Sequence, residues 1–131
     1  MAEERRQKSL DVEGLGHGAP IPMGCRVGPI LMTSGVGGRD AKTGKTPEDA
    51  DGQARNAFIN LKAVLAAGGM DPGDVVKITV YVTDDKYRNE INKYWEEWYP
   101  DAHKRPARHT HVTALRGVLL QLEAFAVAKG A

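Results

Sequence analysis

Two stretches of this chain form helices with a single apolar stripe each, and the β-like segments around them are short. Ala54, Ala57, Phe58, Leu61, Val64 and Leu65 recur at three- and four-residue spacing, as do Tyr87, Ile91, Tyr94, Trp95 and Trp98. A helix with one apolar face has to bury it against a sheet or another helix. The first helix is predicted to start with Thr46 as its cap, Pro47 in the first position and Glu48 and Asp49 in the first turn, and to end at Gly68-Gly69. The second runs from about Lys86 to Trp98, and Pro100 stops it. Short β-like runs surround them: Ser9 to Val12, Cys25 to Val27, Ile30 to Ser34 and Asp74 to Thr83, with a pair of strands closing the chain. Gly28-Pro29 marks a turn between two of these, and Gly35 to Lys45 reads as a loop.

The order ββ-α-β-α-ββ predicts an α+β fold, a mixed sheet with both helices on one face. The 131 residues make one domain, with residues 1–7 a polar tail. The sheet face away from the helices is expected to carry Lys77, Thr79, Tyr81 and Thr110. That is too polar for a second helical layer and too organised for bare solvent, so self-association with sites between subunits is predicted.

Composition narrows the function classes. Eighteen basic residues stand against 17 acidic ones, which leaves no electrostatic footprint for nucleic acid. No apolar run approaches membrane-spanning length, and Met1-Ala2-Glu3-Glu4 lacks the apolar core of a signal peptide, so a cytoplasmic protein is expected. The single Cys25 excludes an internal disulfide and reads as a small buried filler. His109 and His111, even with His103 and His17 nearby in sequence, do not complete a metal-ligand spacing; packed or interface histidines are predicted, with no metal and no organic cofactor. Gly35-Val36-Gly37-Gly38 is followed by no Lys-Ser/Thr, so it is not a phosphate loop.

The run Arg105-Pro106-Ala107-Arg108 carries the chemistry. An arginine just after a proline enters a strand where the backbone is already fixed, and its planar fork suits a carboxylate. If Arg116-Gly117 is a two-residue hairpin turn, Thr110 falls opposite Glu123, and Arg108, Thr110, Gln121 and Glu123 converge on one face. The alternative is structural: Glu123 serves as a salt-bridge partner that orients Arg108. Ser34 has no His-Asp pattern beside it and is not a nucleophile.

With these residues in view, the chain resembles the Rid family, the YjgF-type reactive-intermediate imine deaminases, from about Gly18 to Val127. The resemblance rests on Ala19-Pro20-Ile21-Pro22, Leu31-Met32-Thr33-Ser34-Gly35, Thr43-Gly44-Lys45, Gln53-Ala54-Arg55-Asn56, Gly73-Asp74-Val75-Val76-Lys77, Asn92 and Pro106-Ala107-Arg108, in that order and spacing. It implies a chorismate-mutase-like fold, a homotrimer, and clefts at the subunit interfaces. It also implies that Arg108 holds a substrate carboxylate, that the main chain around Thr110 positions substrate and water, and that Ser34 and Asn92 belong to the pocket.

Three positions depart from the family pattern. Ile21 stands where Tyr is typical, Thr110 where Cys is typical, and Gln121 where the family has a Glu thought to activate water. A Gln amide takes no proton at neutral pH. Glu123, on the same strand face, is the expected replacement. His17 to Pro22 and Arg105 to His109 look more like the 2-aminomuconate deaminase branch than like the enzymes that clear 2-aminoacrylate. The expected function is hydrolytic deamination of an enamine or imine amino acid to a 2-oxo acid and ammonia. Arg108 and Glu123 are the catalytic candidates; Thr110, Ser34, Asn92, Gln121 and Ile21 are the further binding candidates. Two other functions compete: a small-carboxylate binding protein that has lost the chemistry, and a single-strand endoribonuclease, which the balanced charge disfavours.

Overall fold

The computed structural model describes residues 4–130. Of the expected polar tail, residues 1–3 lie outside the described residues, and 4–7 are exposed and without regular structure. Six strands form one sheet: β1 (Lys8–Leu10), β2 (Gly24–Val27), β3 (Ile30–Thr33), β4 (Val75–Val82), β5 (Ala107–Val112) and β6 (Leu120–Val127). Their order across it is β1-β2-β3-β6-β4-β5. Every pairing is antiparallel except β4 with β5, which makes the sheet mixed, as predicted. The β2–β3 hairpin forms where Gly28-Pro29 predicts it: Val27 pairs with Ile30, and Gly28 supplies the positive φ (55°) that the turn needs.

Helix α1 (Ala50–Ala67) begins one turn later than Thr46. Asp49 is the cap, its carboxylate accepting from Gly52 N at 2.9 Å. The carbonyl of Pro47 instead accepts from the Gln53 side chain, so Thr46–Glu48 lead into the helix without joining it. Helix α2 (Arg88–Trp98) follows a single 3₁₀ turn at Asp85–Tyr87. The helices are tied together by Asp51, which accepts from both Lys93 and Tyr94, and by an edge-to-face contact of Phe58 with Trp98.

Both helices bury their stripes on the same side of the sheet. Ile78, Val80 and Val82 of β4 and Leu120, Leu122, Ala124 and Ala126 of β6 meet Ala54, Ala57, Phe58, Leu61, Val64 and Leu65 of α1 and Ile91, Tyr94 and Trp95 of α2 in one core. Each large side chain so buried contributes about 1.5–3 kcal/mol. The alternate residues of β4 and β6 face away from the helices and are half-buried or exposed. No helix among the described residues is long and apolar enough to cross a membrane.

The closing segment departs from the expected hairpin. β5 and β6 do not pair; β4 lies between them. Thr113 N donates to Val82 O and Thr83 N to Leu119 O, so residues 113–119 cross over the end of β4. Thr110 therefore sits beside Val80, not Glu123, and Glu123 sits beside Thr79. Because neighbouring residues in register share a face, Arg108 and Thr110 lie on the helix side with Ile78 and Val80. The expected convergence of Arg108 and Thr110 with Gln121 and Glu123 is overturned within one chain, as is the placing of Thr110 on the open face.

Candidate functional site

Arg108 stands on the edge strand, its register fixed by the parallel pairing with β4. Its side chain reaches over the edge towards α2. Nη2 donates to Asn92 Oδ1 at 2.7 Å, and the guanidinium carbon lies 5.2 Å from the centre of the Trp95 ring. Asn92 and Trp95, three residues apart on one helix face, form a seat with one polar and one aromatic wall. Burial pulls the Arg108 pKa below its ordinary value, and the nearby charge of Arg88 pulls it the same way. Among the described residues no carboxylate lies within ion-pair distance of Arg108. The alternative pairing with Glu123 is thereby excluded: Glu123 is on the opposite face, where Oε1 accepts the Tyr81 hydroxyl at 2.8 Å.

That open face carries a second polar array. Tyr81 stands directly across from Gln121, and Thr79 from Glu123. The hydrogen bond to Glu123, reinforced by burial, raises the Tyr81 phenol above its ordinary pKa and keeps it protonated. His111 stacks on Tyr81 with ring centres 5.4 Å apart, and His109 lies 4.1 Å from His111. Both histidines are on the face opposite Arg108, as strand alternation predicts. No group of three potential metal-ligating side chains occurs among the described residues.

Where β3 ends and β6 begins, a cleft of about 700 Å³ opens, with Ile21, Met23, Gly35, Val118 and Gln121 among its walls. The Ser34 hydroxyl donates to Pro22 O at 2.8 Å and so holds the Ile21 segment beside the cleft, leaving the hydroxyl committed to structure. A Cβ on Gly35 would stand 3.1 Å from Gln121 Oε1; the missing side chain keeps that amide clear. Glu123 lines a separate hollow of about 320 Å³ with Lys77, Thr79 and Phe125.

The loops around the cleft are pinned to α1 by three amide side chains, a role the sequence reading missed. Gln53 donates to Pro47 O and accepts from Leu119 N; Asn56 donates to Gly38 O; Asn60 donates to Gly37 O and Arg39 O. Gly38 lies so close that a Cβ would meet Gln53 O at 2.4 Å. The signal available was polarity in the wrong place: Gln53 and Asn60 are buried, on or next to the apolar stripe of a helix.

The sequence candidates thus fall in separate places. Arg108, Asn92 and Thr110 cluster on the helix side at the β5 edge. Ile21 and Gln121 line the cleft with Ser34 behind them, and Glu123 lies in its own hollow.

Comparisons with known proteins agree on one family. Residues 20–128 match the profile described as Endoribonuclease L-PSP. The 2-iminobutanoate/2-iminopropanoate deaminase of Salmonella typhimurium is 36% identical over 111 residues, covering 82% of this chain and 87% of that protein. A RutC family protein of Aquifex aeolicus is 35% identical over 97 residues, 70% of this chain and 78% of its own. Among solved structures, the YjgF gene product of E. coli superimposes with a TM-score of 0.82 at 31% identity, covering 92% of this chain and 98% of that one. E. coli TdcF with bound serine superimposes with a TM-score of 0.77 at 28% identity, covering 93% and 99%.

Proposed function

Because the chain belongs to the Endoribonuclease L-PSP (YjgF/Rid) family, in which several of its relatives are named as imine deaminases, we propose that it hydrolyses 2-imino acids to 2-oxo acids and ammonia. The observation that carries this reading is the half-buried Arg108, held by Asn92 and Trp95 with no carboxylate partner among the described residues. Such a cation is ready to take the carboxylate of a small substrate with two parallel hydrogen bonds. The serine bound in the related TdcF carries a carboxylate of the same kind.

In this reading water adds to C2 of the imine, forming a C–O bond while the nitrogen takes a proton. The carbinolamine then expels ammonia, the C–N bond breaks, and the hydroxyl loses its proton as the carbonyl forms. The protein needs to fix the carboxylate, place the water and pass a proton. Gln121 holds the water by its amide, and the backbone at Thr110 orients the substrate. Glu123 lies in its own hollow and not in the cleft, so in this reading it handles the proton through the Tyr81 hydroxyl that it holds.

The two halves of the site meet across subunits in this proposal, in a homotrimer in which the Arg108 edge of one copy faces the cleft of the next. Three features support this: the separation of the candidates within one chain, the exposed β5 edge, and the sheet face left without a helical layer. A longer substrate such as 2-aminomuconate fits the replacement of Glu by Gln at position 121 and the resemblance of the His17–Pro22 and Arg105–His109 segments to that branch. The endoribonuclease wording of the family description finds no support in a chain with balanced charge.

Ammonia release from 2-iminobutanoate, 2-iminopropanoate and 2-aminomuconate, each generated enzymatically in situ, tests the proposal. Acceleration of at least one is expected. If every imine decays at its uncatalysed rate while 2-oxo acids still bind in an Arg108-dependent way, the protein binds small carboxylates and is no deaminase.

A further inference from the structure

The cleft that holds Gln121 is also lined by two arginines the proposed reaction does not use, Arg39 and Arg116. Neither is in an ion pair among the described residues, and no acidic residue lines the cleft. Both arginines are exposed, so the charge each carries is open to an anion that enters the cleft. A third group asks for the same ligand. His17 also lines the cleft, and its Nε2 is enclosed yet has no hydrogen-bond partner among the described residues. An enclosed ring nitrogen left unpaired is unfavourable, and an incoming polar group relieves it.

Both arginines sit on segments that α1 holds in place. Asn60 donates to the Arg39 carbonyl, and Asn56 to that of Gly38 just before it. Beyond Arg116, Leu119 N is anchored on the buried Gln53. Asp40 accepts from the backbone of Lys42 and Thr43 and so closes the turn after Arg39. The supports therefore fix the backbone and leave the guanidinium groups free for a ligand, an arrangement that lowers the cost of binding. Size points the same way: a cleft of about 700 Å³ is far larger than a four-carbon imino acid requires.

We infer that Arg39 and Arg116, with His17, form a subsite for a second carboxylate, so that the preferred substrates are imino acids with an acidic group at the far end. The inference rests on the deaminase reading above and names its substrate class: Arg108 takes the carboxylate beside the imine, and the arginine pair takes the distal one.

Calorimetric binding of two stable product analogues, 2-oxobutanoate and 2-oxoadipate, to the assembled wild-type protein tests the subsite without relying on turnover. The dicarboxylate is expected to bind at least ten times more tightly. Arg39→Gln and Arg116→Gln each shrink that preference, and the double variant removes it; Arg116→Lys restores part of it. Light scattering on the same samples checks that assembly is retained, and the single variants serve if the double variant does not fold. Equal affinity for the two oxo acids in the wild type, or a preference that survives in the double variant, overturns the subsite. Failure of both to bind overturns the subsite, while the deaminase reading is decided separately by ammonia release. Selective 2-oxoadipate binding without turnover of any imine supports the subsite and sinks the deaminase reading alone.

Discussion

Asn92 Oδ1 accepts a 2.7 Å hydrogen bond from Arg108 Nη2 and so orients, without neutralising it, a guanidinium that also rests over Trp95. A carboxylate at position 92 would have formed an ion pair and consumed the charge. The amide sets direction and leaves the positive charge for a ligand.

Arg108→Lys is expected to lower kcat/KM by about ten- to a thousandfold in a folded, assembled protein. Lysine keeps the charge but loses the planar fork and the fit over Trp95. Asn92→Asp, which converts the orienting bond into an internal ion pair, should cost more than Asn92→Ala. Steady-state kinetics on the best imine settles both points. Near-normal turnover in Arg108→Lys removes the clamp from the mechanism.

The helices and most strands were legible because apolar spacing is a local signal, and residues such as Phe58, Leu61 and Ile91 are buried where that spacing puts them. The closing strands were not. Gly117 does have positive φ (69°), so the turn chemistry at Arg116-Gly117 is present. Strand pairing, however, is decided by competition for partners distant in sequence. β4, with Ile78, Val80 and Val82 fully buried, takes both β5 and β6 as neighbours. That non-local choice moved Arg108 and Thr110 to the face opposite Gln121 and Glu123. Gln53 and Asn60 were missed for a different reason: a buried amide on a helix looks like an interruption until the loop carbonyls and the amide N–H it serves are seen.

Gln53→Ala should destabilise the protein by about 2–4 kcal/mol, because it leaves both Pro47 O and Leu119 N without their partner in a buried setting. Urea unfolding measures it. A loss under about 0.5 kcal/mol, the range of an ordinary surface substitution, would mean that water replaces the amide and that the 113–119 crossover stands without it.

Stability is expected to fall in alkaline solution. Burial raises the Tyr99 phenol well above its ordinary pKa, with the charge of Asp71 adding to the shift, and the hydroxyl donates to Pro72 O at 2.9 Å. Tyr81 is shifted in the same direction. An unfolded tyrosine ionises near pH 10, so above about pH 10 the folded state binds more protons than the unfolded one. The stability these phenols contribute is intact below that value and is lost as pH rises towards their raised folded values. Thermal midpoints across about pH 8 to 11 should therefore decline, and decline less steeply in Tyr99→Phe, whose midpoint at neutral pH is already lower for want of the hydrogen bond to Pro72. Parallel slopes for the two proteins would show that Tyr99 does not govern the alkaline limb.

In the proposed reaction the proton-handling role is assigned to Glu123, since position 121 holds an amide. Glu123 is on the open face, bonded to the Tyr81 hydroxyl, while Gln121 lies directly across from Tyr81. The phenol is thus bonded to the carboxylate and stands on the strand position next to the amide. Glu123→Gln is expected to lower turnover by about a hundredfold, the lower end of what general acid–base catalysis contributes, and by more than Gln121→Ala does. The same substitution should let Tyr81 ionise at lower pH, because the carboxylate that holds its proton is gone. Ultraviolet titration of the phenol reads that change separately from activity. If the Tyr81 titration shifts while turnover is untouched, Glu123 only positions Tyr81, and the proton must pass through substrate or water. Gln121→Glu supplies the converse test: faster 2-aminoacrylate hydrolysis in that variant would show that a carboxylate at 121 is what this site lacks for the shorter substrate.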